Sequence, residues 1–167
     1  MISISYNSRV LYNKDSMNNR NNFDNKEITI KRYENDKIAF NYPSNWYEFE
    51  NEVKNPTEVV AMRTDKWNGG TFSFSVANAG GKSTEYWKDF MEKFLKDNGA
   101  KVSDSVIKVV DDVSIFDFKS EISKSNVISN RRHIGFVRDG AFFYSFFTSL
   151  DLDALKEDID IMIGFNE

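Results

Sequence analysis

Hydrophobic and polar residues alternate in short runs along most of this chain, a pattern typical of β-strands that bury one face. The first two runs are separated by the turn-forming residues Glu34, Asn35 and Asp36, so together they predict a β-hairpin. The next two runs predict a second pair of strands, and two more strands are predicted on either side of Asp111 and Asp112. The runs fall at residues 27–33, 37–42, 58–64, 71–77, 105–110 and 113–122.

Residues 131–149 predict a further hairpin, because their centre is the dipeptide Asp139-Gly140, which favours a type I′ turn. Counting outward from this turn places Phe136 opposite Phe143 on one face. The turn therefore fixes the register of both strands.

The other face of this hairpin pairs Val137 with Phe142 and Gly135 with Tyr144. We expect Gly135 to leave room for the tyrosine ring opposite it. Because both faces of the hairpin carry bulky apolar residues, both faces of the sheet should be covered.

Two stretches show the period of amphipathic helices instead. The first follows Ser83, which is suited to cap a helix, and ends at Gly99, where a positive φ is tolerated. The second covers residues 151–165 and has acidic residues in its first turn. The apolar positions are Tyr86, Phe90 and Phe94, then Trp87, Met91 and Leu95, and finally Leu152, Leu155, Ile159, Met162 and Ile163.

These elements predict an α+β fold, an α/β/α sandwich whose mostly antiparallel sheet is flanked by two helices. The length of 167 residues suits one domain. Residues 1–26 lack a sustained period and are rich in asparagine, so we expect a flexible tail followed by a single domain at 27–167.

The stretch "FNYPSNWYEFE" begins at Phe40 and contains one of the chain's two prolines and one of its three tryptophans. Pro43 lacks a backbone donor and should end the strand before it. We expect Trp46 to cover the exposed end of the core there, as a part of the fold and not as a binding site.

The segments "NYPSNW", "TFSFSV", "STEYWKDF" and "RHIGFVRDGAFFYSF", in this order, resemble the Mog1/PsbP-like domains, in particular the PsbP-related proteins of prokaryotes. The most specific part is the aromatic-Pro-x-x-Trp motif of Tyr42, Pro43 and Trp46. The resemblance covers residues 27–167 and implies a non-enzymatic domain that binds other proteins. It does not imply which partner.

Composition argues against several further classes of function. The net charge is −4 without a basic block, so nucleic acid is not an expected partner. There is no cysteine and a single histidine, His133, so we expect neither a metal site nor a cofactor. No long apolar run occurs, so no membrane span is expected, and a cytoplasmic location is predicted unless an export signal precedes this chain.

Catalytic motifs fail on inspection. Residues 78–84, "NAGGKST", lie between a predicted strand and a predicted helix, as a phosphate-binding loop does. That motif needs a glycine five residues before Gly81, and the position holds Val76. No Ser or Cys is placed by spacing to pair with His133. We therefore predict no catalytic residue and no enzyme.

Three residues are candidates for contact with an unknown protein partner. Trp67 lies in the polar connection "DKWNGG", where a loop aromatic can anchor an interface. Arg131 and Arg132 can attract an anionic partner. The alternative is a domain that holds a small apolar or anionic molecule between sheet and helix, since fifteen phenylalanines can fill a core or line a pocket.

Overall fold

A computed structural model of the chain describes residues 27–52, 55–66 and 69–164. The predicted tail at 1–26 lies outside these ranges, and so does Trp67. Predictions for both therefore stand as they were made from the sequence.

Nine strands and two helices are found within the described ranges. The first two strands pair with each other as a separate antiparallel hairpin, and the other seven form one sheet. The strands are β1 (Ile30–Glu34), β2 (Ala39–Pro43), β3 (Trp46–Glu48), β4 (Glu58–Thr64), β5 (Gly70–Asn78), β6 (Lys101–Val110), β7 (Val113–Lys124), β8 (Val127–Arg138) and β9 (Ala141–Ser149).

The order of the large sheet is β3-β4-β5-β9-β8-β7-β6, and every neighbouring pair is antiparallel. Helix α1 (Thr84–Asp97) lies over β6, β7 and β8 on one face. Helix α2 (Lys156–Ile163) covers the opposite face together with the β1–β2 hairpin. The predicted α+β class and the α/β/α sandwich are therefore confirmed.

The ends of α1 agree with the sequence prediction. The Ser83 hydroxyl accepts a hydrogen bond from the Tyr86 amide at 3.1 Å, which satisfies one of the free amides of the first turn. Gly99 follows the helix with φ of 87°, a value that favours glycine.

The larger core lies between the sheet and the layer of α2 and the hairpin. Trp46 is only 1% exposed, and its indole nitrogen donates to Asp158 Oδ2 at 2.9 Å. The prediction that Trp46 belongs to the fold is therefore confirmed. The structure adds that Trp46 begins β3 and is tied by its indole to α2.

A smaller core lies under α1, where Trp87 stacks on Phe142 with ring centroids 4.7 Å apart. The row of Trp87, Met91 and Leu95 packs on the sheet. The neighbouring row of Tyr86, Phe90 and Phe94 is exposed. Only one of the two apolar rows of α1 therefore contributes to this core.

The β8–β9 hairpin has the predicted turn and register. Asp139 and Gly140 both have positive φ, as a type I′ turn requires, and Phe136 lies opposite Phe143. The role predicted for Gly135 was wrong in one respect. A Cβ on Gly135 would lie 2.5 Å from Cζ of Phe116, so the glycine makes room for this β7 ring and not for Tyr144.

Candidate functional site

A groove of about 420 Å³ lies on the sheet face that α2 covers, between α2 and the strands β6, β7 and β8. Its lining combines apolar side chains from all of these elements with charged ones. The apolar residues are Val110, Ile115, Ile134 and Ile163, together with Val109, whose side chain points to the other face of the sheet. The charged residues are Lys108, Asp117, Arg132, Lys156 and Asp160.

Arg132, one of the predicted partner-binding residues, lies at the centre of the ion pairs in this groove. Its Nε donates to Asp117 Oδ1 at 3.1 Å and its Nη2 donates to Asp117 Oδ2 at 2.7 Å. Its Nη1 also lies 3.8 Å from Asp160 Oδ1. The bidentate pair fixes the plane of the guanidinium, because two parallel hydrogen bonds leave it little rotational freedom.

Cations outnumber carboxylates among the residues that line the groove. Lys156 lies 3.6 Å from Asp160, across one turn of α2. With Lys108 and Arg132, the lining carries three cations against the carboxylates of Asp117 and Asp160. Such a lining suits an acidic group of a ligand better than a basic one.

Arg131 lies on the opposite face of the sheet, since successive residues of a strand point to opposite sides. Its guanidinium stands over the ring of Phe146, 5.2 Å from the centroid. Its buried Nε has no hydrogen-bond partner among the described residues. Arg131 and Arg132 were predicted to serve one anionic partner, but the structure does not bring them together.

A chain of three polar side chains lies on the α1 face of the sheet. Ser120 Oγ is 2.7 Å from Nε2 of His133, and Nδ1 of His133 is 2.6 Å from the Tyr144 hydroxyl. His133 is only 1% exposed. Burial, assisted by the positive charge of Arg131, lowers the pKa of His133 to about 3. Burial raises the pKa of Tyr144.

Ser120 and His133 have the spacing of a nucleophile and its general base, but their surroundings do not suit catalysis. Both are buried, so a substrate cannot approach the hydroxyl. An imidazole with a pKa near 3 is a poor proton acceptor at neutral pH. We interpret the cluster as a polar part of the core, held by hydrogen bonds as buried polar groups usually are.

This cluster and most of the groove were not predicted from the sequence. The pairing of β7 with β8 brings Ser120 near His133, and it depends on a turn at Ser125 and Asn126, both with positive φ. That two-residue turn is visible in the sequence and could have given the register. No local signal points to the groove, because its charged residues come from separate elements.

Two further features are absent from the described ranges. No helix there is long and apolar enough to cross a membrane. In the same ranges, no cluster of three or more potential metal ligands occurs.

Comparison with known proteins gives a match in structure and none in sequence. No protein family profile matches the chain, and no curated protein sequence does. The cyanobacterial PsbP (CyanoP) of Synechocystis matches in solution structure with a TM-score of 0.63 and 14% identity, over 87% of this chain and 95% of that chain.

LpqN of Mycobacterium tuberculosis matches with a TM-score of 0.57 and 15% identity, over 85% of this chain and 84% of that chain. Identities this low show a shared fold and nothing more. The chain therefore has the PsbP-like fold that "NYPSNW" and the order of elements predicted.

Proposed function

We propose that this chain is a non-enzymatic accessory domain that binds another protein through the groove between β6 and α2. Its PsbP-like fold supports this, because the resemblance of the sequence to Mog1/PsbP-like domains implies a domain that binds other proteins. LpqN, of similar fold, is described as involved in cell envelope biogenesis.

The observation that carries the proposal is the groove itself. Its volume of about 420 Å³ lies within the range of ligand sites, which is roughly 300–1,000 Å³. Apolar side chains line it beside a fixed arginine and two lysines. This combination suits a protein segment that buries apolar side chains and presents an acidic group.

A second candidate is a small anionic molecule held between sheet and helix, which the same groove volume favours. An apolar molecule is less well accommodated. The apolar cavity under the β1–β2 hairpin, lined by residues such as Phe40, Phe72 and Met162, measures about 40 Å³, far below the size of a ligand site.

Charge reversal in the groove tests the main proposal. Lys156→Glu reverses a cation at the groove, and a negative charge in the first turn of α2 is tolerated by the helix dipole. Lys93→Glu, on exposed α1, makes the same change in net charge on the opposite face. Each of the three chains is used to capture proteins from source-cell lysate. We then purify the proteins that the wild type and Lys93→Glu retain but Lys156→Glu does not.

The purified protein should bind the wild-type chain in calorimetry, and Lys156→Glu should weaken binding by at least tenfold, about 1.4 kcal/mol. Lys93→Glu should bind as the wild type does. A purified candidate that binds all three chains equally contradicts the proposal. Native mass spectrometry of the freshly purified chain checks the alternative, since a bound small molecule adds its mass.

Trp67 stays a predicted contact of the same partner. If this loop takes part, Trp67→Ala should weaken binding of the purified partner at least tenfold while the melting temperature changes by only a few degrees. Unchanged affinity would remove the loop from the interface, and a large loss of stability would assign Trp67 to the core.

A further inference from the structure

Strand β6 forms one edge of the large sheet. It is ten residues long, and among the described residues only β7 pairs with it. The other edge strand, β3, has three residues. Proteins usually keep edge strands short or protected, because unpaired backbone groups invite another strand.

The turn between β6 and β7 determines which backbone groups of β6 face outward. Asp111 and Asp112 form a two-residue turn with φ of 49° and 63°, and Val110 lies opposite Val113. In such a hairpin the residues that flank the turn form a hydrogen-bonded pair, and bonded and non-bonded pairs then alternate. Ile107 and Val109 therefore direct their N–H and C=O groups to the open edge.

The two halves of β6 differ in how open they are. A bulge interrupts the register between Ser103 and Val106, and Asp104 there has φ of 53°. Such bulges twist an edge away from pairing. From Val106 to Val110 the register is regular, there is no proline, and the side chain of Val109 is 69% exposed.

We propose that an extended acidic segment of the partner adds to residues 106–110 as an eighth strand of the sheet. This deepens the proposed function, on which it rests, by naming the mode of binding. The main-chain bonds go to Ile107 and Val109. Side chains of the added strand alternate between the two faces.

The chemistry of each face defines the segment. On the α2 face the added strand lies beside Lys108 and next to the groove, where cations outnumber carboxylates among the lining residues, so acidic side chains suit that face. On the α1 face it lies beside the exposed Ile107 and Val109, so apolar side chains suit that face. The occupant is thus a strand in which acidic and apolar residues alternate.

A second copy of this chain fits the edge less well. Within 106–110 every side chain except Lys108 is apolar, so an identical strand offers no acidic group to the groove. A symmetric antiparallel pair centred on Lys108 also places two lysines opposite each other, which is unfavourable.

Peptide libraries test this inference directly. One library contains labelled ten-residue peptides with Glu at alternate positions and Val, Ile, Thr or Tyr between them, and the control library has Lys in place of Glu. Both are applied to the full chain, to Val109→Pro and to Val109→Ala. Proline removes the outward N–H of residue 109 but no bond to β7, whereas alanine keeps that N–H.

The acidic library should be retained at least tenfold more than the basic one. Val109→Pro should lose at least tenfold in affinity for the best acidic peptide, and Val109→Ala should stay within about threefold. If Val109→Pro fails to fold, as judged by circular dichroism, N-methylation of alternate residues of the peptide replaces it. Methylation on the edge-facing amides should abolish binding, and methylation on the others should not.

Three results would overturn the inference. The first is equal retention of the two libraries, and the second is binding that survives both the proline substitution and edge-facing N-methylation. The third is a wild-type dimer in sedimentation that Val109→Pro dissociates, because a second copy of the chain then occupies the edge. Failure here is separable from failure of the proposed function. A purified partner that loses affinity with Lys156→Glu but not with Val109→Pro keeps the groove and rejects the added strand.

Discussion

At the scale of single residues, Trp46 joins the two layers of the larger core. Its ring contacts Phe147 edge-on at 6.5 Å, while its indole nitrogen reaches the buried carboxylate of Asp158 on α2. The same carboxylate lies 3.6 Å from Lys66 after β4. The side chain of Trp46 thus combines apolar burial with a hydrogen bond to a residue 112 positions later in the sequence.

Two substitutions separate these contributions. Trp46→Phe keeps most of the apolar burial but removes the donor to Asp158, and should cost about 1–3 kcal/mol of unfolding free energy. Trp46→Ala also opens a cavity and should cost about 3–5 kcal/mol. Urea denaturation of the three proteins measures both values. Near-wild-type stability of Trp46→Ala would contradict the structural role of the ring.

The pKa of His133 predicts how the free energy of unfolding depends on pH. Its pKa is about 3 in the fold, against an ordinary value near 6.5, so the unfolded chain binds the extra proton first. The stabilising contribution is therefore complete above about pH 6.5 and is lost as the pH falls toward about 3. At pH 5 the loss should be roughly 2 kcal/mol.

The dependence of the unfolding free energy on pH between pH 7 and pH 5 can be assigned to His133, because it is the only histidine of the chain. His133→Gln cannot titrate, so its unfolding free energy should change much less between pH 7 and pH 5 than that of the wild type. The comparison uses the difference between the two pH values, because the substitution itself also disturbs the hydrogen bonds to Ser120 and Tyr144. Parallel pH profiles of the two proteins would reject the assignment.

At the scale of elements, α1 carries two neighbouring apolar rows with the same helical period, and only one of them packs on the sheet. Trp87 is packed on Phe142, and its indole nitrogen also donates to the Ala79 carbonyl at 3.2 Å. Phe94, seven residues later, is 56% exposed. Exposure thus differs between neighbouring rows that look equally apolar in the sequence.

Alanine substitutions in α1 should show this difference. Trp87→Ala should cost about 3–5 kcal/mol, because it empties part of the smaller core. Phe94→Ala should stay within about 1 kcal/mol, since a half-exposed ring buries little apolar area and alanine favours the helix. Thermal unfolding compares the two, and equal losses would mean that Phe94 also packs on the sheet.

The sequence could predict those elements whose ends or register depend on local residues. Local chemistry determined the β8–β9 register, through Asp139-Gly140, and the ends of α1, through Ser83 and Gly99. By contrast, β3 has three residues, too few for a visible alternation, and was not predicted. The separation of the β1–β2 hairpin from the large sheet depends on tertiary packing, which periodicity does not contain.

At the scale of the whole molecule, the candidate site arises from topology. Arg132 was identified from its charge alone, but its partners Asp117 and Asp160 come from another strand and from α2. Arg131, its neighbour in sequence, belongs to the other face. The groove and the open edge of β6 adjoin because β6, which lines the groove, is the last strand of the sheet among the described residues. A binding surface of this kind becomes visible only when the strand order is known.

Residues 1–26 have a composition that cannot bury enough apolar surface to offset the entropy lost on ordering. Deleting residues 1–25 should therefore leave the melting temperature nearly unchanged. Differential scanning calorimetry of the full and the shortened chain measures this. A fall of more than about 5 °C, which for this size means more than about 1 kcal/mol, would show that the segment contributes to the folded domain.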